Sequence, residues 1–482
     1  MPTDLQANLI DGRLDAAGAD GIIEVTNPAD GSRVASVPAM GRDQLDAVLD
    51  AAERGARAWR AAGWLARGRV LLDTAELIRA EANDLAALIV AENGKTLAEA
   101  RGEVGKTAEF FEYYGALGRQ PFGGLLPDTR PGTFAMQVTE PLGVVLLITP
   151  WNDPLMTPAR KLAPALIAGN AVIIKPATET PLIALRLAEL LNRAGLAPGA
   201  LGTVTGRGSQ IVPPLLADRR IRAVSFTGST VVGLGVQRDL AGTGVRVQTE
   251  MGGKNALVVL DDADLELATS MIMAGGFAQS GQRCTATSRL IVDSAVAQEL
   301  KDRVTSAIGA LVIGPGNRDG VTMGPVVSAA QRADIAARVE AGLAEGAAVV
   351  AEQALSAELS AAGAFVAPVL LEVETTNSLW REEVFGPVIS MITVDGLDAA
   401  ISAVNDSDYG LSSSVITRSL ASAMRFVDEV DTGQVSVNQP TSGWDIHHPF
   451  GGFKDSGSPF KEQGLDALRF YTRVKTVAIR GA

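Results

Sequence analysis

Gly143-Val-Val-Leu-Leu-Ile-Thr-Pro-Trp-Asn-Asp-Pro154 and, one helix further on, Ala171-Val-Ile-Ile-Lys-Pro176 decide the architecture of this chain. Each begins as a continuous apolar run rich in branched residues and ends in a polar turn, the pattern of a strand buried on both faces. Between them, Pro154 to Ile167 carries apolar residues at helical spacing and closes at Gly169-Asn170, a glycine stop. The unit then repeats. Pro181 to Ala194 reads as a helix, Leu201-Gly-Thr-Val204 as a strand, Gln210 to Leu216 as a helix, Ile221 to Phe226 as a strand, Ser229 to Leu240 as a helix and Val245 to Thr249 as a strand. Strands alternating with helices predict an α/β fold with a parallel sheet and crossover helices. Ligands on such sheets gather at the carboxyl ends of the strands. A second alternation starts at Asn255-Ala-Leu-Val-Val-Leu260 and runs to Asp431, through a helix after Asp262-Ala-Asp264 that leads by a helix-like segment, Ser270 to Gln279, to Cys284, then the strand Arg289-Leu-Ile-Val292 and a helix Ala295 to Leu311.

Outside these units, residues 7 to 36 read as short strands joined by turns at Asp11-Gly12 and Asp30-Gly31. Residues 41 to 117 turn helical, and Phe110, Phe111, Tyr113 and Tyr114 are expected to pack in the core. Residues 120 to 142 carry Pro121, Pro127, Pro131 and Pro141 and form an extended excursion. The tail Arg469 to Ile479 alternates apolar and polar residues like a strand. It is expected to pair with the excursion, with a subunit interface as one setting for that pairing.

At 482 residues the chain is too long for one ordinary core and suggests about three structural units. A hydrophobic content of 47% with 20% charged residues describes a folded globular protein. The net charge of −13 argues against nucleic acid as a partner, and an anionic substrate would need local cations. The first residues have neither a basic nor an apolar leader pattern, and no run reaches 18 apolar residues, so a cytoplasmic protein with no membrane partner is expected. One cysteine forbids an internal disulfide, and with only two histidines, adjacent at His447 and His448, no metal site is expected.

That one cysteine stands in Ser280-Gly-Gln-Arg-Cys-Thr285. A core cysteine sits in an apolar run, whereas this one has small and polar neighbours, and Arg283 beside it would favour the nucleophilic thiolate. Further candidates follow apolar runs at strand ends: Thr149-Pro-Trp-Asn-Asp153, Ile174-Lys-Pro176, Phe226-Thr-Gly-Ser-Thr-Val-Val-Gly233 and Thr249-Glu-Met-Gly-Gly-Lys254. Together with Gly281-Gln-Arg-Cys284, Glu383-Val-Phe-Gly-Pro387 and Pro449-Phe-Gly-Gly-Phe-Lys-Asp-Ser-Gly457, in this order over essentially the whole chain, they resemble the aldehyde dehydrogenase superfamily.

The resemblance implies that family's fold: a Rossmann-like dinucleotide-binding domain (1–119 and 143–250), a second α/β catalytic domain (251–445) and a small β oligomerisation arm (120–142 and 465–482). It also implies NAD(P)-dependent oxidation of an aldehyde to an acid, with Cys284 as nucleophile, the Asn152 amide as oxyanion donor and Glu250 as general base. The cofactor would lie on Thr149, Pro150, Trp151, Lys175, Thr178, Gly228, Ser229, Glu383 and Phe385. NAD-selective members carry glutamate where this chain has Thr178, so NADP should be tolerated or preferred. Arg160 stands where semialdehyde enzymes bind the far carboxylate of their substrate. Ala278 stands where succinic semialdehyde enzymes often carry a second arginine, and Arg283 with its neighbours looks more like 2-oxoglutaric semialdehyde dehydrogenases. The loop Gln439 to His448 sets the aldehyde pocket in this family, and its Trp444 and two histidines would also suit an aromatic aldehyde. An aliphatic aldehyde is a further alternative of the same mechanism. A homodimer or homotetramer is implied. Three rivals stand beside this reading: a cysteine hydrolase using His447 or His448 as base, a silent binding protein of the same fold, and a CoA-dependent acylating enzyme, against which Glu250 argues.

Overall fold

The computed structural model describes residues 5–120 and 122–480. Pro121 of the excursion, the first four residues of the first unit and the last two of the arm lie outside the described residues. Both expected alternations form sheets. In the first, five strands run in the order Arg246–Glu250, Ile221–Thr227, Val144–Ile148, Ala171–Lys175 and Leu201–Thr203, all parallel. Every residue of Val144–Ile148 and Ala171–Lys175 is buried, as strands covered on both faces require. Register then does the functional work. Ile148 stands opposite Lys175 and Phe226, and Thr227 opposite Glu250, so the polar turns that follow these strands emerge side by side.

The crossover helix Met156–Ala168 stops at Gly169, whose φ of 97° is left-handed. Its apolar residues pack beneath Leu97–Ala116 and against Phe470 and Tyr471 of the tail helix Asp466–Tyr471. Phe110, Phe111 and Tyr114 are buried in this core as expected, and Tyr113 is half-buried. The hairpin Asn8–Ile10 with Arg13–Asp15 pairs as expected and docks on the sheet edge, with Asn8 Nδ2 donating to Thr205 Oγ1 at 2.7 Å.

The second sheet has seven strands, ordered Ala348–Glu352, Val369–Glu372, Val388–Val394, Thr287–Asp293, Asn255–Val259, Ser412–Ile416 and Gln434–Val437, with only the first antiparallel to its neighbour. The helix expected after Asp262-Ala-Asp264 is Leu265–Gly276, which ends before the expected Gln279. Asp264 starts it by accepting from the Glu266 and Leu267 amides. The chain then leaves helical geometry through Gln279 and Ser280, both left-handed at φ 52° and 55°.

Three antiparallel strands, Thr472–Arg480, Thr133–Pro141 and Gly123–Leu126, make a small separate sheet. The tail therefore pairs with the excursion within one chain. Buried Glu140 locks the pairing by taking Arg60, Arg473 and Lys475. No helix among the described residues is long and apolar enough to cross a membrane.

Candidate active site

The turns after Val144–Ile148, Ile221–Thr227 and Arg246–Glu250 face the loops that enter Thr287–Asp293 and Val388–Val394 across a cleft of about 480 Å³. Asn152, Glu250 and Cys284 line it, as do Pro150, Trp151, Gly228, Ser229, Glu383, Phe385, Arg160, Arg283 and Trp444. Thr149, Lys175 and Thr178 do not line this cleft. They lie with the adjacent strand ends.

The Cys284 loop is held by close backbone approach. Gly281 has a φ of 69°, and a Cβ there would lie 2.1 Å from the Gly386 carbonyl oxygen, so no side chain fits. Asn255 Nδ2 donates to the Cys284 carbonyl at 2.8 Å. Burial pushes the Cys284 thiol up to about 12, and among the nearby charges Arg160 is the one that pulls it down most. The expectation that Arg283 would favour the thiolate is corrected here. Its Nε donates to Gln279 Oε1 at 2.7 Å and its Nη1 reaches Ser442 Oγ at 3.5 Å, so adjacency in sequence does not aim its charge at the sulfur. Asn152 spends one amide N–H on the Gln282 carbonyl at 3.0 Å. The other is free for an oxygen developing beside Cys284.

Glu250 is 2% exposed, and neither carboxyl oxygen has a hydrogen-bond partner. Burial and the neighbouring Glu462 push its carboxyl well above the ordinary range, against the pull of Lys161, Lys461 and Arg160. Sequence reasoning missed three of these groups, Lys161, Lys461 and Glu462. Lys161 is fully buried, donates to Ser225 Oγ at 2.7 Å and bonds Glu462 closely. A lysine inside the apolar run of Met156–Ala168 was a visible signal, since a charge on a buried face needs a partner. Its partner's position was not visible.

Arg160 belongs to the same helix and is half-buried, its side chain 10% exposed. The guanidinium lies over the Phe450 ring at 4.7 Å and the Phe110 ring at 5.9 Å, is 3.7 Å from Glu462 Oε2, and has an unpartnered Nε. Trp444 is half-buried, and its carbonyl accepts from Lys106 Nζ at 3.3 Å. His447 and His448 are exposed, meet edge to face at 4.5 Å and do not line the cleft. They therefore serve neither as a base for Cys284 nor as an aromatic wall.

The strand ends suit a dinucleotide. The Thr149 and Thr227 hydroxyls are buried without partners, and Ser229 opens the helix Thr230–Leu240 without capping it by its side chain, which leaves first-turn amides for an anion. Lys175 ends its strand with Nζ on the Pro176 carbonyl at 2.9 Å, and burial lowers its pKa to about 8. The Thr178 hydroxyl reaches the Gly206 carbonyl at 3.5 Å. Glu383 takes the Gly253 amide at 3.0 Å, and burial raises its carboxyl to about 7. Phe385, left-handed at φ 53°, meets the Trp151 ring edge-on at 5.2 Å. Among the described residues no group of three or more metal-ligating side chains occurs.

Comparison with known proteins agrees with this geometry. Residues 15–477 match the family model described as the aldehyde dehydrogenase family. A 2,5-dioxopentanoate dehydrogenase of Saccharolobus solfataricus is 41% identical over 94% of this chain and 95% of its own. An alpha-ketoglutaric semialdehyde dehydrogenase of Bacillus subtilis is 36% identical over 98% of both chains. The crystal structure of betaine aldehyde dehydrogenase from Staphylococcus aureus in complex with NAD+ superposes with a TM-score of 0.95 at 29% identity, covering 98% of this chain and 95% of that one.

A buried thiol predicts a pH signature. Alkylation of Cys284 by iodoacetamide in the cofactor-free protein should rise about tenfold per pH unit from about pH 7 to 10, because only the thiolate reacts. A plateau near pH 8.5 to 9, where an ordinary thiol is half ionised, would contradict the burial.

Proposed function

The chain belongs to the aldehyde dehydrogenase family and is an NAD(P)-dependent oxidoreductase acting on aldehydes, and from that premise we propose that its substrate is a small semialdehyde acid of the 2-oxoglutaric or succinic semialdehyde type. The observation that carries this is Arg160, a half-buried cation whose Nε is buried without a partner, in the same cleft as Cys284, Asn152 and Glu250. Its planar fork suits a carboxylate. The relatives named for 2,5-dioxopentanoate and alpha-ketoglutaric semialdehyde support the five-carbon 2-oxo acid in particular.

In this reading Cys284 attacks the aldehyde carbon as thiolate and forms a thiohemiacetal whose oxygen is held by the Asn152 amide and the Cys284 backbone N–H. The nicotinamide, when bound, supplies the hydride acceptor, and the carbon left on sulfur becomes a thioester. Glu250 then takes a proton from water as that water attacks the thioester, releasing the acid and restoring the thiol. A carboxyl with raised proton affinity is a useful base near neutral pH. Lys161 and Glu462 set the charge around it.

Lys175 and Thr178 would hold the adenosine ribose, Gly228 and Ser229 the pyrophosphate, and Glu383 with Phe385 the nicotinamide ribose. Thr178 offers no carboxylate to repel a 2′-phosphate, and the neighbouring Glu179 is exposed although near enough to raise the proton affinity of Lys175 against the effect of burial, so NADP is tolerated or preferred. The units 1–119 with 143–250, 251–445, and 120–142 with 465–482 serve cofactor binding, catalysis and assembly. Exposed Leu125, Phe134, Val474 and Ile479 on the small sheet support a homodimer or homotetramer. A single thiol suits the cytoplasm.

Two variants test the proposal. Arg160→Met should raise KM for a semialdehyde acid about 10- to 150-fold, equivalent to losing a hydrogen bond to a charged group at about 1.5–3 kcal/mol, while a neutral aldehyde of similar length changes little. Equal weakening of both would remove the carboxylate anchor. Thr178→Glu should shift the NADP to NAD ratio of kcat/KM toward NAD by on the order of tenfold, since a carboxylate accepts ribose hydroxyls and repels a 2′-phosphate. An unchanged ratio would mean that the ribose is read elsewhere.

A further inference from the structure

Two hydrogen-bonded crossings join the Asn152 loop to the Cys284 loop. One is the Asn152 amide on the Gln282 carbonyl. The other is the side chain of Gln279, whose Nε2 donates to Asp153 Oδ1 at 3.0 Å while its Oε1 accepts from Arg283 Nε at 2.7 Å. The Gln279 backbone amide also donates to Glu99 Oε1 at 2.6 Å. Its φ of 52° is one that L side chains rarely adopt, and Ser280 follows at 55°. Such a backbone persists where its surroundings over-determine it.

Asp153 is itself fixed from behind. Lys95 Nζ donates to Asp153 Oδ1 at 3.2 Å, to the Asn152 carbonyl at 2.8 Å and to Glu103 Oε2 at 2.6 Å, so all three ammonium protons are used. The other Glu103 oxygen takes the Leu155 and Met156 amides at 2.8 and 3.0 Å. Lys95, Glu103 and Gln279 are all buried. The helix Leu97–Ala116 thereby anchors the Asn152 loop, and Gln279 passes that anchorage to the loop of the nucleophile.

We infer that Gln279 is a positioning residue for the oxidation, its carboxamide setting the Cys284 loop against the Asn152 loop through Asp153 at one end and Arg283 at the other. This rests on the roles proposed above for Cys284 and Asn152. With the Gln282 crossing alone, the two loops can pivot about one hydrogen bond. The second crossing removes that freedom where the new C–S bond and the oxyanion donor must be set together, and a misplacement of about 1 Å there costs about 100-fold in rate.

A double-mutant cycle tests it. Gln279→Asn keeps a residue that tolerates left-handed backbone but is one methylene too short to bridge. Asp153→Ala removes the other end and leaves Lys95 on Glu103 and the Asn152 carbonyl. The readouts are the single-turnover rate of NAD(P)H formation, KM for the aldehyde and the melting temperature. Each single variant should form NAD(P)H about 10- to 100-fold more slowly with KM nearly unchanged. The double variant should be no slower than the slower single, because both cut the same bridge. A wild-type rate in Gln279→Asn, or losses that multiply in the double variant, would overturn the inference. Should Gln279→Asn not fold, Gln279→Glu takes its place, since it keeps the acceptor for Arg283 and sets a carboxylate against Asp153. Cys284→Ala runs alongside: retained turnover there defeats the reading of the nucleophile, whereas the cycle reports on the bridge alone.

Discussion

Lys161, Glu250 and Glu462 are shut away from water together, and the rest of the site depends on keeping them so. Removing a carboxylate or an ammonium from solvent is unfavourable by several kcal/mol unless a partner compensates. Here the partners arrive from three separate places: Lys161 from a crossover helix, Glu250 from a strand end, and Glu462 from the segment after the second sheet. The compensation holds only if the parallel register of the first sheet and the docking of the tail helix are both in place. Glu250 is left with no hydrogen bond of its own, and burial beside Glu462 keeps its proton affinity high. The same helix gives one residue to each task. Lys161 faces the buried carboxylates, and its neighbour Arg160 faces the cleft between two aromatic rings.

Much of this was legible in the chain because burial on both faces writes strands as unbroken apolar runs, and each run here ended in a polar turn. The turns after Ile148, Phe226 and Thr249 led directly to residues that line the cleft. What misled was proximity. Arg283 adjoins Cys284, yet its guanidinium is spent on Gln279 and Ser442, whereas the distant Arg160 acts on the thiol. The paired histidines looked chemically rich and lie exposed on the surface. Charge partners hundreds of residues apart, Lys161 with Glu462 above all, leave no periodic trace. Only the presence of a lysine in an apolar helical run hinted that a partner existed. The end of the helix before Cys284 was placed too late because the left-handed pair Gln279 and Ser280 carries no glycine or proline to announce it.

The site thus has two layers. The inner one holds the groups proposed to meet the aldehyde, and the outer one, from Glu103 through Lys95 and Asp153 to Gln279, joins the loops that present them. Each member of the outer layer is buried or nearly so, with hydrogen bonds to the others, to Arg283 and to the backbone of Asn152, Leu155 and Met156, as a buried polar network must have to rigidify rather than loosen a protein.

The account turns on a covalent intermediate at Cys284 that needs Glu250 for its release. The most direct measurement is the intact mass of the Glu250→Gln protein after mixing with a semialdehyde acid and NAD(P)+. The account predicts one equivalent of NAD(P)H and a persistent mass increase equal to the acyl group less the thiol hydrogen it replaces, located on the peptide that carries Cys284. Undiminished steady turnover with no adduct, or an adduct on any other residue, would contradict it.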